Sequence, residues 1–219
     1  MSFSRLFAWL LLLCALPLTA CGQSAALVPR EGVDYEVLKQ GQRWQKPDGK
    51  IEVVEVFAYW CPHCDDFQPM ADAWKRTMPA DVRFAYVPAA FDPEDSYARA
   101  YFAAERAGAV AKIHQPMFDA VHRKGTLPHS NPTNDELGTW FGQHGLNRAR
   151  MVALLSSAEV AEQVQAARRF MGANHVSSTP TLVVNGKYVV RTSRPEDRFR
   201  VVDALVAMER AAGAAKKPR

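Results

Sequence analysis

Between Ile51 and Met78 the sequence passes from a β run into a helix, with a pair of cysteines at the seam. Ile51-Glu52-Val53-Val54-Glu55-Val56-Phe57 is rich in β-branched residues and nearly all apolar, the composition of a strand buried on both faces. It runs through Ala58-Tyr59-Trp60 into Cys61, and Pro62 to about Met78 then fits a helix, with Phe67, Met70, Ala71 and Trp74 at helical spacing. Pro69 removes one backbone donor inside that helix and predicts a kink. Val82-Arg83-Phe84-Ala85-Tyr86-Val87 reads as the next strand. A strand–helix–strand unit of this kind requires a parallel pair with a right-handed crossover, and hence an α/β fold.

The remaining elements complete that fold. Tyr35-Glu36-Val37-Leu38 reads as a short edge strand. From about Pro93 to Gly172 the pattern is helical only, with expected helices over Asp95–Ala107, Val110–His122, Asn134–His144, Arg148–Leu155 and Glu159–Met171. Gly108, Gly125 and Gly145 punctuate them, and Thr133 with Glu136 is placed for a capping box. This stretch is far longer than an ordinary crossover, so it is expected as a helical subdomain whose core includes Phe102, Phe118, Trp140 and Phe141. Thr181–Val184 and Lys187–Val190 flank Asn185-Gly186, the signature of a type I′ hairpin. Ser193 and Glu196 suggest a second capping box with Pro195 in the first turn of a final helix. Its apolar face carries Phe199, Val202, Leu205 and Val206, with Glu209 further along, before a frayed basic tail from Ala211. The expected organisation is a sheet domain over 32–92 and 173–212, a helical insertion over 93–172 and a flexible tail over 213–219.

The first twenty residues stand apart. Arg5 precedes an apolar run, Leu6 to Leu16, too short for an ordinary membrane span and suited to an export signal over 1–20. Leu18-Thr19-Ala20-Cys21 resembles a bacterial lipoprotein processing site, which implies lipidation of Cys21 and a tether over 21–31; ordinary cleavage, for example after Ala26, is the alternative. The net charge of +4 is spread along the chain, with no basic block interleaved with aromatics, so nucleic acid is not an expected partner.

Four cysteines then reduce to two. Cys14 lies in the signal and Cys21 is either acylated or removed, which leaves Cys61 and Cys64. A secreted domain that used cysteines structurally would scatter several pairs through its loops. In Cys61-Pro62-His63-Cys64 the spacing lets both sulfurs meet, and Cys61 precedes the first helical turn, where free N–H groups and the helix dipole favour an anion. Proline suits that turn, and His63 adds a donor or a positive charge beside the sulfur. These effects favour a reactive thiolate. Zinc is the competing use of such residues, but a structural site wants four ligands, and there is no second Cys-x-x-Cys.

Two further positions bear on this chemistry. Glu55 lies six residues before Cys61 on the apolar strand, so its carboxyl is poorly solvated unless paired. It can take the proton from buried Cys64 when that thiol attacks a mixed disulfide, or it can be a structural carboxylate paired with a lysine. Pro180 opens a strand after Thr179, at a bond that can be cis or trans. His175 is either near the site or on the surface, and His114, His122, His129 and His144 read as helix-face or loop residues.

The Trp-Cys-Pro-His-Cys string, Pro69 five residues after Cys64, and Thr-Pro before a hairpin resemble the thioredoxin superfamily. Pro62-His63, the helical insertion and Glu55 narrow the resemblance to the DsbA family of thiol:disulfide interchange proteins, over roughly Tyr35 to Ala212. The resemblance implies a thioredoxin fold with an inserted all-helical subdomain. It also implies that Cys61 is the exposed nucleophile, Cys64 its buried partner and His63 the stabiliser of the thiolate. Pro180 would be the cis proline, with Thr179 facing substrate and Pro62 beside it. The implied activity is donation of a disulfide to reduced, unfolded secreted polypeptides in the periplasm by a monomer. The resemblance further implies that no metal or organic cofactor is needed and that a quinone-linked membrane oxidase reoxidises the pair. A reductase or isomerase on the same scaffold is the alternative, and a lipid-anchored binding module with incidental thiols is the reading from another class.

Overall fold

The computed structural model describes residues 28–215. The signal segment, Cys21, the alternative cleavage after Ala26 and the last four residues lie outside them. Five strands form one mixed sheet in the order β1-β5-β4-β2-β3: β1 Tyr35–Val37, β2 Ile51–Phe57, β3 Val82–Pro88, β4 Thr181–Val184 and β5 Tyr188–Val190. β2 pairs parallel with β3, from Ile51 opposite Val82 to Phe57 opposite Pro88, and antiparallel with β4 on its other side. Its backbone ladder is thus satisfied on both edges, which lets an almost wholly apolar sequence sit inside. The hairpin between β4 and β5 turns at Asn185 and Gly186, both at positive φ. Glycine is required there sterically as well, because a Cβ would collide with the Gln42 backbone.

Helix α1, Pro62–Thr77, and α7, Arg198–Ala215, share a core with Val53, Leu182 and Val184, supplied by Phe67, Ala71 and Trp74 from α1 and by Val201, Val202, Leu205 and Val206 from α7. The second core is made with the insertion: α2 Ser96–Arg106, α3 Val110–Phe118, α4 Asn134–Gln143, α5 Arg148–Leu155 and α6 Ala158–Ala173. Phe102, Phe118, Trp140 and Phe141 are buried in it, as expected. The Thr133–Glu136 capping box forms in full.

Three expectations are corrected. The helix expected over Val110–His122 ends its α-helical part at Phe118 and continues as a π-helical turn, Asp119–Arg123. Pro116 lacks the N–H for a regular ladder there, which loosens the last turn. The Ser193–Glu196 capping box does not form. Instead Pro195–Asp197 is a 3-10 turn capped at Arg194, with Asp197 buried between Arg194 and Arg200. The final helix does not fray at Ala211 but reaches Ala215, through an alanine-rich segment of high helix propensity. His114 lies on α3 as expected, and the face it occupies is buried: it packs among Phe57, Tyr86 and Phe118 and is bonded through Nδ1 to the Tyr59 hydroxyl at 2.9 Å.

Candidate active site at the head of the first helix

Cys61 is the N-cap of α1, in extended backbone conformation, and Pro62 opens the helix. The Cys61 carbonyl accepts from the N–H of Cys64 at 3.0 Å and of Asp65 at 3.3 Å, so the turn that closes the helix also brings the two side chains together. Cys64 is completely buried, and its sulfur accepts from the Ala58 N–H at 3.5 Å. Both thiols are free. Across from them the Thr179–Pro180 bond is cis, and the Cys61 thiol donates to the Thr179 carbonyl at 3.5 Å. Thr181 braces this loop by donating to the Ser178 carbonyl at 2.7 Å. The expectation of an exposed Cys61 is corrected: the residue is only 5% exposed because the Thr179–Pro180 loop lies against it, though Cys64 is at 0%.

The electrostatics of the two sulfurs diverge. A hydrogen bond from the Cys64 thiol is the main cause that brings Cys61 down to about 5, against the opposing effect of burial. The Thr179 side chain and the backbone N–H groups of Cys64 and His63 add to it. Burial, first of all, pushes Cys64 far above the ordinary thiol range, and its bond to Cys61 adds to the rise. One sulfur is suited to be an anion and the other to stay a neutral thiol. His63 helps through its backbone amide; its ring is exposed and makes no hydrogen bond among the described residues.

Two glutamates on β2 are fully buried, and the comparison between them is informative. Glu52 accepts from the N–H groups of Trp44 and Gln45 at 2.8 and 2.9 Å and pairs with Arg83 at 3.0 Å. Its charge is compensated and its role is structural. Among the described residues Glu55 has one bond, from Gln68 Nε2 to Oε1 at 3.3 Å, and its Oε2 has no partner. Burial raises it to about 8; Lys75 and Arg198 act only at a distance to lower it. Among the described residues no lysine pairs with Glu55: Lys75 bonds Asp72 at 2.8 Å and the Tyr86 hydroxyl at 2.7 Å instead. Near neutral pH Glu55 is therefore held largely as a neutral carboxylic acid, with one oxygen unpartnered among the described residues.

Other residues at the site gave little sequence signal. Trp60 donates from Nε1 to Asp95 at 3.0 Å, and Asp95 also caps α2 through the Ala98 N–H. His122 bonds the Tyr59 carbonyl at 2.7 Å, and Arg123 pairs with Asp65 in the first turn of α1 at 2.9 Å. The insertion therefore buttresses the strand-to-helix seam from its far side. Of these, only Asp95 had a legible sign, as a preferred N-cap type ahead of an expected helix. His175 is exposed and bonded to Glu36 at 3.1 Å, which gives the surface alternative.

The chain matches the Thioredoxin family model over residues 41–204. It is 35% identical over 168 residues to the thiol:disulfide interchange protein DsbA of Azotobacter vinelandii, spanning 75% of this chain and 77% of that protein. With the DsbA of Pseudomonas aeruginosa it shares 33% identity over 186 residues, 83% of this chain and 86% of the relative. Among solved structures, the oxidoreductase DsbA from Xylella fastidiosa is similar with a TM-score of 0.81 at 42% identity, covering 84% of this chain and 98% of that one.

Proposed function

The chain belongs to the thioredoxin family and, within it, to the DsbA thiol:disulfide interchange proteins, and on that premise we propose how its Cys61–Cys64 pair transfers a disulfide. It is a protein thiol:disulfide oxidoreductase, and its oxidised form donates the disulfide to reduced, unfolded polypeptides. The substrate thiolate bonds to Cys61 Sγ as the Cys61–Cys64 bond breaks, and the electron pair passes to Cys64. Glu55, protonated at neutral pH, gives its proton to that leaving sulfur. A second substrate thiolate then attacks the substrate sulfur of the mixed disulfide, closing the substrate's disulfide and releasing Cys61 as a thiolate. The substrate dithiol loses two electrons and the cysteine pair gains them.

The observation that carries the oxidising direction is the low value of Cys61 beside a neutral Cys64. A stabilised thiolate favours the reduced form of the pair, and each ~1.4 kcal/mol of that preference moves a two-electron potential by about 30 mV towards oxidant. His63 and Pro62 hold the N-terminal turn, and Thr179 and Pro180 flank the sulfur where an extended substrate would lie. The setting is the periplasm, with the protein a monomer anchored through lipidated Cys21 and its pair reoxidised by a quinone-linked membrane oxidase. The test is a glutathione redox titration of the purified protein. The expected potential is well above that of a thioredoxin reductant, and a value at or below about −270 mV would contradict the oxidase assignment.

A further inference from the structure

Arg198 is expensive where it stands. It is half-buried, and burial holds its guanidinium below the ordinary arginine range. It opens α7, at the end of a helix whose dipole disfavours a cation. Its neighbours Arg194 and Arg200 both pair with Asp197, whereas Arg198 forms no ion pair with any carboxylate among the described residues. Its polar contact is a hydrogen bond from Nη1 to the Pro180 carbonyl at 3.4 Å, and its Cζ lies 5.4 Å from the centre of the Phe67 ring, one turn along α1 from Cys64. The guanidinium is thus held between the cis-proline loop and the active-site helix. The groups its charge acts on are Cys64 first, then Glu55 and Cys61. The ring face of Phe67 stabilises the guanidinium in part, but no carboxylate among the described residues pairs with it.

We propose that Arg198 is a positioning residue, a fixed cation that stabilises the negative charge on Cys64 as that sulfur leaves the disulfide. The role rests on the exchange mechanism above, and it supplies what that mechanism lacks. When the Cys61–Cys64 bond breaks, the electron pair goes to a sulfur with no exposure to water, and Glu55 delivers its proton only as the charge develops. A cation already in place lowers the barrier without needing to move, because its interaction is stronger in the transition state than in either neutral end state of Cys64.

The experiment is the rate at which dithiothreitol reduces the oxidised full-length protein, followed by tryptophan emission, for Arg198→Lys, Arg198→Gln and Arg198→Met. Gln keeps a donor for the Pro180 carbonyl without charge, Met keeps the apolar stem, and Lys keeps the charge. The expected result is a rate lowered about tenfold in Gln and Met, equivalent to ~1.4 kcal/mol of barrier, with Lys within about threefold of the parent. The equilibrium constant with glutathione should change by less than about threefold in all three, because Cys64 ends as a neutral thiol. A Gln variant as fast as the parent, or a Lys variant as slow as Gln, overturns the proposal. So does an equal fall in rate and equilibrium constant, which would place the charge effect on Cys61. An unreactive parent disulfide would overturn the exchange mechanism along with it, whereas a reactive parent with an equally reactive Gln variant overturns the role of Arg198 alone.

Discussion

Single replacements of the two cysteines separate the roles proposed for them, Cys61 as the attacked sulfur and Cys64 as the fully buried partner. Cys61→Ser should lose all dithiol-oxidase turnover, and Cys64→Ser should accumulate a mixed disulfide through Cys61 that mass spectrometry detects. Turnover by Cys61→Ser would contradict the assignment. Glu55 gives a second test at this scale, through pH. Its folded-state value is raised to about 8 from an ordinary 4.5, so its contribution to stability is fully present below the unfolded value and is lost as pH rises to about 8. Glu55→Gln should therefore gain stability over the parent progressively across that window and hold a constant advantage above it, while its thiol exchange slows. A melting-temperature difference that does not vary with pH would show that Glu55 is ionised throughout. Glu52→Gln should behave oppositely at neutral pH, losing about 1–3 kcal/mol because Arg83 and two backbone donors lose a charged acceptor.

At the scale of elements, Thr133→Ala removes the side-chain half of the capping box, the acceptor for the Glu136 N–H, and should cost about 1 kcal/mol by denaturant unfolding, with the redox equilibrium unchanged. A shifted redox equilibrium would mean that α4 is coupled to the site. This box was legible because its signal is local, as were β2, the type I′ hairpin and the helix over Arg148–Leu155. Local rules failed where tertiary contacts decided the outcome. Ser193 and Glu196 had the right spacing for a cap, but burial of Asp197 between two arginines pulled the chain into a 3-10 turn one residue later. The π-helical turn at Asp119–Arg123 has no period that a sequence reveals, yet it presents His122 and Arg123 to the active-site seam. For the candidate site, the cysteine pair, Glu55 and Pro180 stood out in the sequence because each breaks a local expectation, though the cis isomer at Pro180 came only from the fold. Gln68 and Arg198 did not stand out, since nothing in their own neighbourhood marks them, and Asp95 showed only as a preferred N-cap type.

For the whole molecule, the redox state of one pair should set the stability of the fold. In the reduced protein Cys61 titrates at about 5, below its unfolded value, so its stabilising contribution is present above about pH 8.5 and lost as pH falls through about 5. The oxidised protein has no thiol to titrate, and Cys64 stays neutral across this window. The melting temperature of the reduced form should thus exceed that of the oxidised form near pH 8, with the gap closing towards about pH 4. A gap independent of pH would contradict the linkage. The anchor is tested at this scale too: Cys21→Ser should move the protein from the membrane to the soluble periplasmic fraction, and retention at the membrane would exclude lipidation as the tether.

The central claim is that Cys61 is an anion at neutral pH because the fold supplies donors to its sulfur. Thiolate absorbance of the reduced protein near 240 nm, followed against pH with Cys61→Ser as the blank, measures this directly. The account predicts one titration with a midpoint near 5. A midpoint near 8.5, that of an unperturbed cysteine, would contradict it.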